Sequence, residues 1–465
     1  MKKFQNSDPP SSAYRSSKRT SKRASARALL SRDWVIPFCK LAIANTTSNL
    51  MVPLAGLIDT AFLGHLEDIR YLNGVALASI IFNIIYWSFN FFRMGTTGPT
   101  AQAVGQADNE LIWLILVRNS LLALGVGMAV WLLKDPIAAL GFSLLQADAE
   151  TKSAGAAFYD GRILGAPAVL INFVLLGWLL GRSQGKQVVV LAVVSNFSNI
   201  FLDYYFIRVL KLGSYGAGLA TALSQYLMLA VGLSLIISSG VPMQLWSRIK
   251  AQLWQLSALK SLFALNLDIL IRTFALVISM SLFTNFSSGM GATVLGVNAL
   301  LMQVVLMAAH FMDGIALAVE SYAGNFYGRQ RDSDLRWLLI LGSVGSVFLG
   351  LAITLALLVW PHPFFSLLTS HRELLSEIPR YAVWLVPVLG LGAIAFTLDG
   401  YFLGLTASRV LRNATLIAAF VGFLPMALVA SYLRSPHLLW FALSMLMLTR
   451  AITLSRKVAP TLSAE

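Results

Sequence analysis

Residues 177–186 read GWLLGRSQGK, and 223 positions later residues 400–409 read GYFLGLTASR. In both, an apolar run with glycine at its first and fifth places ends in a short basic loop. Gly177, Leu180 and Gly181 meet Gly400, Leu403 and Gly404, while Ser183 and Lys186 meet Thr406 and Arg409. The same offset holds far upstream, where Leu72, Ala76, Leu77 and Gly105 find Leu295, Ala299, Leu300 and Gly328, and Gln102 finds Asn325. Merely hydrophobic segments would scatter their matches. One offset held from Leu72 to Lys186 means an internal duplication.

The duplicated unit lies in an unusual solvent. Of 465 residues 57% are hydrophobic and only 12% charged, with a mean hydropathy of +0.72. That leaves too little polar surface to cover a soluble globule of this size. Nearly uncharged stretches of about twenty residues, long enough to cross hydrocarbon as a helix, begin near Trp34, Leu72, Leu111, Ala154, Gln187, Tyr215, Ser261, Val294, Trp337, Ile378, Asn413 and His437. Pro53, Pro167 and Pro387 lie within such stretches, which membrane helices tolerate. Short alternating segments, the mark of a membrane barrel, are absent from the sequence. The expected fold is all-α and polytopic: twelve transmembrane helices in two six-helix bundles. An even number of helices per unit gives both copies one orientation, so a pseudo-twofold axis should run along the membrane normal.

Charge sets the orientation. The net charge of +14 could suggest a nucleic-acid partner, but its distribution points to a membrane. Nine of the 35 Lys and Arg fall in the first 33 residues, and another thirteen in the even-numbered loops and C-terminal tail, against about seven in the odd-numbered loops. Positive residues stay on the cytoplasmic side, so both termini are expected there. The chain then divides into a basic, disordered tail (1–33), an N-terminal lobe (34–240), the amphipathic linker VPMQLWSRIKAQLWQLSALK (241–260) and a C-terminal lobe with a short tail (261–465). The first tail reads as a solvated arm touching anionic lipid, although organelle transit peptides share its composition. A single cysteine, Cys39, excludes a disulfide framework within the chain.

Ionisable residues are expensive in hydrocarbon and mark function by default. Asp59, in LIDTAFLGH (57–65), is one; Asp203, Asp268, Asp313, Glu320 and Asp399 are the others. They do not follow the repeat. The offset partners of Asp268, Asp313 and Glu320 are Asn45, Asn90 and Thr97, and those of Asp59, Asp203 and Asp399 are Leu282, Met426 and Leu176. Asn199 and Asp203 lie one turn apart on the fifth helix, and loop counting puts Asp59 and Asp203 in the outer half of the membrane. Two carboxylates meeting in a dry cleft do not easily both ionise, so one should hold a proton. A structural hydrogen bond at a kink is the alternative. Asp268 and Arg272, four apart, are expected to pair. Asp313, Glu320 and Asp399 line a cleft or cross-link helices near the inner surface. The five histidines form no metal spacing, and GRSQGK lacks the Walker pattern, so neither an enzyme nor a nucleotide-driven pump is indicated.

LIDTAFLGH resembles the first-helix signature of the multidrug and toxic compound extrusion (MATE) family. NLDILIRT (266–273), VNALLMQ (297–303), MDGIALAVESYAGNFYGR (312–329), LLTS (367–370) and LDGYFLGLTASRVLRN (398–413) resemble its DinF branch, the DNA-damage-inducible transporters. The resemblance implies a two-lobed antiporter exporting amphipathic organic compounds against inward H+ or Na+. It further implies a coupling site at Asp59, Asn199, Asp203 and Thr221, an oxygen set that suits H+ and, as a metal, Na+. The proline common midway along helix 1 of the family is missing near Ala44, so bending of that helix is not to be assumed. No cofactor is implied. The expected partners are a small organic substrate, the coupling ion and membrane lipid, the expected state a monomer, and the expected location a bacterial inner membrane, with a plastid membrane as alternative. An acidic cleft favours organic cations, while Arg272, Arg93 and Arg162 leave anions open. The rivals are a flippase for lipids or lipid-linked sugars, which would favour a strongly basic cleft, and a channel or receptor without coupled transport.

Overall fold

The computed structural model describes residues 32–64, 68, 70–240, 244, 246–366 and 372–462; the side chains of 52–55, 57, 59–61, 362 and 372 lie outside that description. The basic tail before Arg32 and the LLTS motif are thus outside the described residues.

In lipid each backbone N–H and C=O must find its partner inside the chain, so the apolar runs become helices. Among the described residues, ten helical segments are by themselves long and apolar enough to cross a membrane. In chain order the spans are α1 (Val35–Gly64), α2 (Arg70–Gly105), α3 (Asn109–Leu132), α4 (Ala149–Ile163 with Ala166–Gly181), α5 (Gly185–Val209), α6 (Gly213–Ser238), α7 (Leu256–Gly289), α8 (Ala292–Gly328), α9 (Asp332–Val359), α10 (Arg372–Ala382 with Leu385–Gly404), α11 (Ser408–Tyr432) and α12 (Pro436–Leu462). The two halves of α4 meet at 54°, making an eleventh span, and α1, at 30 residues, is the twelfth. Each starts within six residues of its expected position. α4 and α10 break beside Pro167 and Pro387, where the ring removes a donor and crowds the preceding turn. α1 runs unbroken through Ala44. α7 begins five residues inside the expected linker, which also holds a short helix, Trp246–Gln252, tied to α3. Arg118 donates there to the carbonyls of Gln252 (2.6 Å) and Leu253 (3.2 Å).

The repeat is written into the backbone. Among the described residues, six non-glycine residues have positive φ, and they form three pairs 223 apart: Ala107 with Gln330, Ser183 with Thr406, and Lys211 with Arg434. Each sits just past a helix end. Ser183 and Gln184 donate to the carbonyls of Leu180 and Leu179, as Thr406 and Ala407 do to Leu403 and Phe402. Such left-handed caps satisfy the last carbonyls of a helix whose next residues must reverse direction.

Close helix crossings repeat in the same way. Gly177 and Gly181 on α4 lie against the carbonyls of Arg93 and Thr97 on α2; Gly400 and Gly404 on α10 lie against those of Ala316 and Glu320 on α8. The lobes meet where α2 crosses α8. Gly105 faces the carbonyl of Asn325, and Gly328 faces that of Gln102, so this contact is its own image under the pseudo-twofold axis. Gln102 also donates to the Gly404 carbonyl at 2.9 Å, and Ser321 to that of Leu180 at 2.6 Å.

This meeting is confined to one end. Four apolar clusters fill the molecule. At the end carrying the described termini, one joins Trp34 and the adjoining Val35, Phe38, Leu41 and Ala42 of α1 to the C-terminal lobe, and another joins Leu317 of α8 to the N-terminal lobe. At the opposite end, among the described residues, each cluster stays within its own lobe. Bulky residues such as Phe201, Phe348 and Val421 face outward, as lipid-facing surfaces do.

A side chain at Gly105 or Gly328 would collide with backbone, which cannot swing aside. Gly105→Leu and Gly328→Leu should each destabilise the purified protein by about 1–3 kcal/mol. The double variant should cost less than the sum, since both disrupt one contact. Gly125→Ala, with open space beside it, should leave the thermal melt unchanged.

Candidate translocation site

The N-terminal lobe places its polar residues at two levels. Towards the end away from the termini, Asp203 is fully buried on α5, with Asn199 one turn before it. A π-helical turn, Tyr204–Val209, follows Asp203 directly, a widening that is frequent at functional sites. Thr221, on the neighbouring α6, is half-buried and donates to the Ala217 carbonyl at 3.0 Å. Asp59 belongs to α1, which packs along α5, but its side chain is outside the described residues. Arg162 lies against the rings of Phe82, Tyr86 and Phe158 in the same lobe.

Nearer the middle is a cavity of about 210 Å3, lined by α1, α2, α4, α5 and α6 with Leu317 of α8 at its edge. Its polar lining consists of Asn45, Ser48, Asn49, Asn172, Ser195, Asn196, Gln225 and Arg93. Part of it is wired together. Asn172 donates to Gln225 Oε1 at 3.1 Å, and Gln225 to Ser195 Oγ at 3.0 Å. Asn45 is only 1% exposed, yet neither its Nδ2 nor its Oδ1 has a partner, and the Asn172 Oδ1 has none either. A reading that attends only to ionisable residues misses this cavity. The legible signal was Asn45 and Asn49, one turn apart in a helix otherwise bound for lipid.

The C-terminal lobe answers with charges. Asp399, on α10, accepts through Oδ2 from both Arg272 of α7 and Arg450 of α12, all three buried. The expected Asp268–Arg272 pair does not form. Asp268 instead accepts from Arg412 at 2.6 Å and Ser408 at 2.9 Å, both on α11. A spacing of four puts two side chains on one face, but α7 packs mainly on α11, and each charge finds a better-placed partner across a helix boundary. Arg272, Asp313, Glu320 and Asp399 line one small cleft between the lobes, joined by Arg93 from α2. Asp268 stands outside it. With Arg450 behind Asp399, the cleft region holds three guanidiniums and three carboxyls, so it is balanced rather than acidic. Glu320 is 1% exposed, and its Oε1 has no partner.

Losing one member of such a network leaves its partners buried and uncompensated. Asp399→Asn strands two enclosed guanidiniums and should cost about 3–5 kcal/mol. Asp268→Asn should cost less, because Arg412 is 31% exposed and can reach water. Thermal melts of the purified variants compare them directly.

The MatE family model matches residues 46–205 and 269–433, one segment in each lobe. DNA damage-inducible protein F of Escherichia coli (strain K12) is 34% identical over 415 residues, covering 89% of this chain and 90% of that protein. The probable multidrug resistance protein NorM of Thermotoga maritima is 23% identical over 401 residues, 84% of each. Among solved structures, an outward-facing multidrug resistance MATE family transporter superposes with a TM-score of 0.80 at 18% identity, covering 93% of this chain and 98% of that one, and so shares the fold. With both lobes matched and the whole scaffold shared, the chain belongs to the MatE family of multi-pass membrane transporters.

Proposed function

We propose that the protein is a secondary active efflux transporter that exchanges an inward cation, H+ in our reading, for amphipathic organic compounds by alternating access. The observation that carries this reading is the one-sided closure. Among the described residues, the apolar clusters that join the two duplicated lobes lie at the end bearing the termini, around polar groups buried nearer the middle. Rocking one lobe on the other would open that end and close the opposite one. The names of the relatives, a multidrug resistance protein among them, agree with such a cargo. The moving bodies are residues 34–240 and 261–465, with 241–260 as the tether. A single chain encloses the path, consistent with a monomer in the plasma membrane of a bacterium. The Lys and Arg distribution favours cytoplasmic termini, so the closed end is the inner one.

Coupling is assigned to Asp59, Asn199, Asp203 and Thr221. Asp203 is sealed from water, at the start of a π-helical turn, where loading or losing a proton changes what neighbouring helices gain from packing on it. Arg272, Asp313, Glu320 and Asp399 then form the charged face of the cleft, with Asp268 braced to α11 at its side.

In proteoliposomes, Asp59→Asn and Asp203→Asn keep the shape of the site but not its ability to change charge. Each should reduce accumulation driven by a pH gradient by more than about tenfold. Asn199→Ala and Thr221→Ala should weaken it less, since they only tune the site. Near wild-type accumulation by Asp59→Asn under a proton gradient would end the mechanism. A Na+ gradient that drives transport where a pH gradient does not would replace H+ by Na+.

Orientation has its own test. In a Cys39→Ser background, Ser183→Cys in the α4–α5 loop should react with an impermeant thiol reagent in inverted vesicles. Labelling from outside intact cells would reverse the topology.

A further inference from the structure

We propose that the cavity of the N-terminal lobe receives the anionic head of an amphipathic substrate, with Arg93 as its counter-charge. This deepens the efflux reading above and rests on it.

The space suits a ligand head. An enclosed apolar cavity of about 150 Å3 takes benzene, and this one measures about 210 Å3. Its walls are built for something polar. Asn45 presents an unpartnered donor and an unpartnered acceptor, and Asn172 an unpartnered acceptor, all from nearly inaccessible side chains. A buried polar group left without a partner is destabilising, so these amides are poised to gain from a ligand that pairs with them. Phe173, Leu176 and Met228 supply the apolar remainder of the lining.

The charge of that ligand follows from what the lining holds. Among the described residues, Arg93 is the single charged side chain of the cavity, and no carboxylate lines it. An organic cation would meet a guanidinium and no carboxylate within the cavity, since the nearest carboxyls, Asp313 and Glu320, line the neighbouring cleft instead. An anion would be neutralised. Arg93 makes no ion pair within 4.0 Å among the described residues, and its Nε has no hydrogen-bond partner. Asp203 lies seven residues beyond Asn196 on α5, about 10 Å along the helix, on the coupling level rather than in the cavity.

The duplicated scaffold offers a control. Asn45 and Asn49 occupy the places that Asp268 and Arg272 hold in the other lobe, and Arg93 the place of Ala316. In the C-terminal lobe, charges at this level satisfy one another. In the N-terminal lobe they are replaced by neutral amides around a cavity, with one added cation. Arg93 also borders the cleft that holds Asp313 and Glu320. Rocking of the C-terminal lobe can therefore draw it towards those carboxyls and release the anion.

The test uses two xanthene dyes of opposite charge, the anionic sulforhodamine B and the cationic tetramethylrhodamine ethyl ester. Their accumulation is measured in proteoliposomes of the full chain, under imposed pH or Na+ gradients with the membrane potential clamped. Wild type should move the anion. Arg93→Gln should shift the ratio of anion to cation transport by about tenfold or more towards the cation, and Arg93→Lys should restore part of it. Asn45→Leu should raise the KM for the anion more than it lowers the maximal rate. Cation transport alone by the wild type would overturn the inference and leave the efflux reading standing. Equal loss of both dyes in Arg93→Gln would make Arg93 structural and would also overturn it. Movement of neither dye under either gradient would count against both readings.

Discussion

Everything in this structure hangs on one close approach, the crossing of α2 and α8 at Gly105 and Gly328. Lipid gives helices no hydrophobic reason to associate, so adhesion must come from packing and from hydrogen bonds between backbones brought near enough to touch. Glycine permits that nearness, because each of the two lies where a Cβ would strike the other helix's carbonyl. The contact lies on the pseudo-twofold axis, and around it Gly98 and Gly324 extend the same seam. A seam of small residues at one end, with separate apolar cores at the other among the described residues, would serve the proposed rocking as its hinge.

On this symmetric frame the chemistry is deliberately unequal. The positions of Asn45 and Asn49 in one lobe are those of Asp268 and Arg272 in the other, so a single structural level is an amide-lined cavity on one side and a neutralised charge network on the other. Burying full charges in pairs consumes the space that side chains could otherwise leave open, and fixes their rotamers across helix boundaries. Neutral amides do neither. The division separates a rigid, charged lobe face from one that retains room.

How far the sequence disclosed this depends on the kind of information sought. The duplication was legible because the turns repeat with it: Ser183 and Thr406 match in sequence, and they are also the left-handed caps that close α4 and α10. The spans were legible because hydrocarbon thickness imposes their length. Partners were not. Asp268 and Arg272 share a helix face, but spacing along one helix is silent on which residues of α10, α11 and α12 stand opposite, and those decided the pairing. The amide cavity escaped for another reason: an asparagine in a membrane helix costs far less than a charge, so Asn45 and Asn172 do not stand out until their missing partners are visible. The balance of the cleft was likewise hidden, because Arg93 and Arg450 arrive from opposite lobes.

The closed end must also be able to open, and its bonds are suited to that. Beyond the glycine seam it is held by Gln102 to the Gly404 carbonyl, by Ser321 to that of Leu180 and to Ser183 (2.9 Å), and by Trp34 of α1 to Asp334 at the start of α9 (3.1 Å). Arg32 and Arg331 share that last carboxylate. Neutral hydrogen bonds contribute about 0.5–1.5 kcal/mol each, and those to a charged group about 1.5–3 kcal/mol. The seal is therefore a sum of a few such contributions, with one carboxylate, Asp334, carrying its ionic part. A proton bound with a preference of one pKa unit between two states shifts their balance by about 1.4 kcal/mol. On the proposed mechanism, ion loading in the N-terminal lobe and seal breaking some helix turns away would thus act on comparable energy scales, which a carrier needs if a modest gradient is to drive it through both conformations.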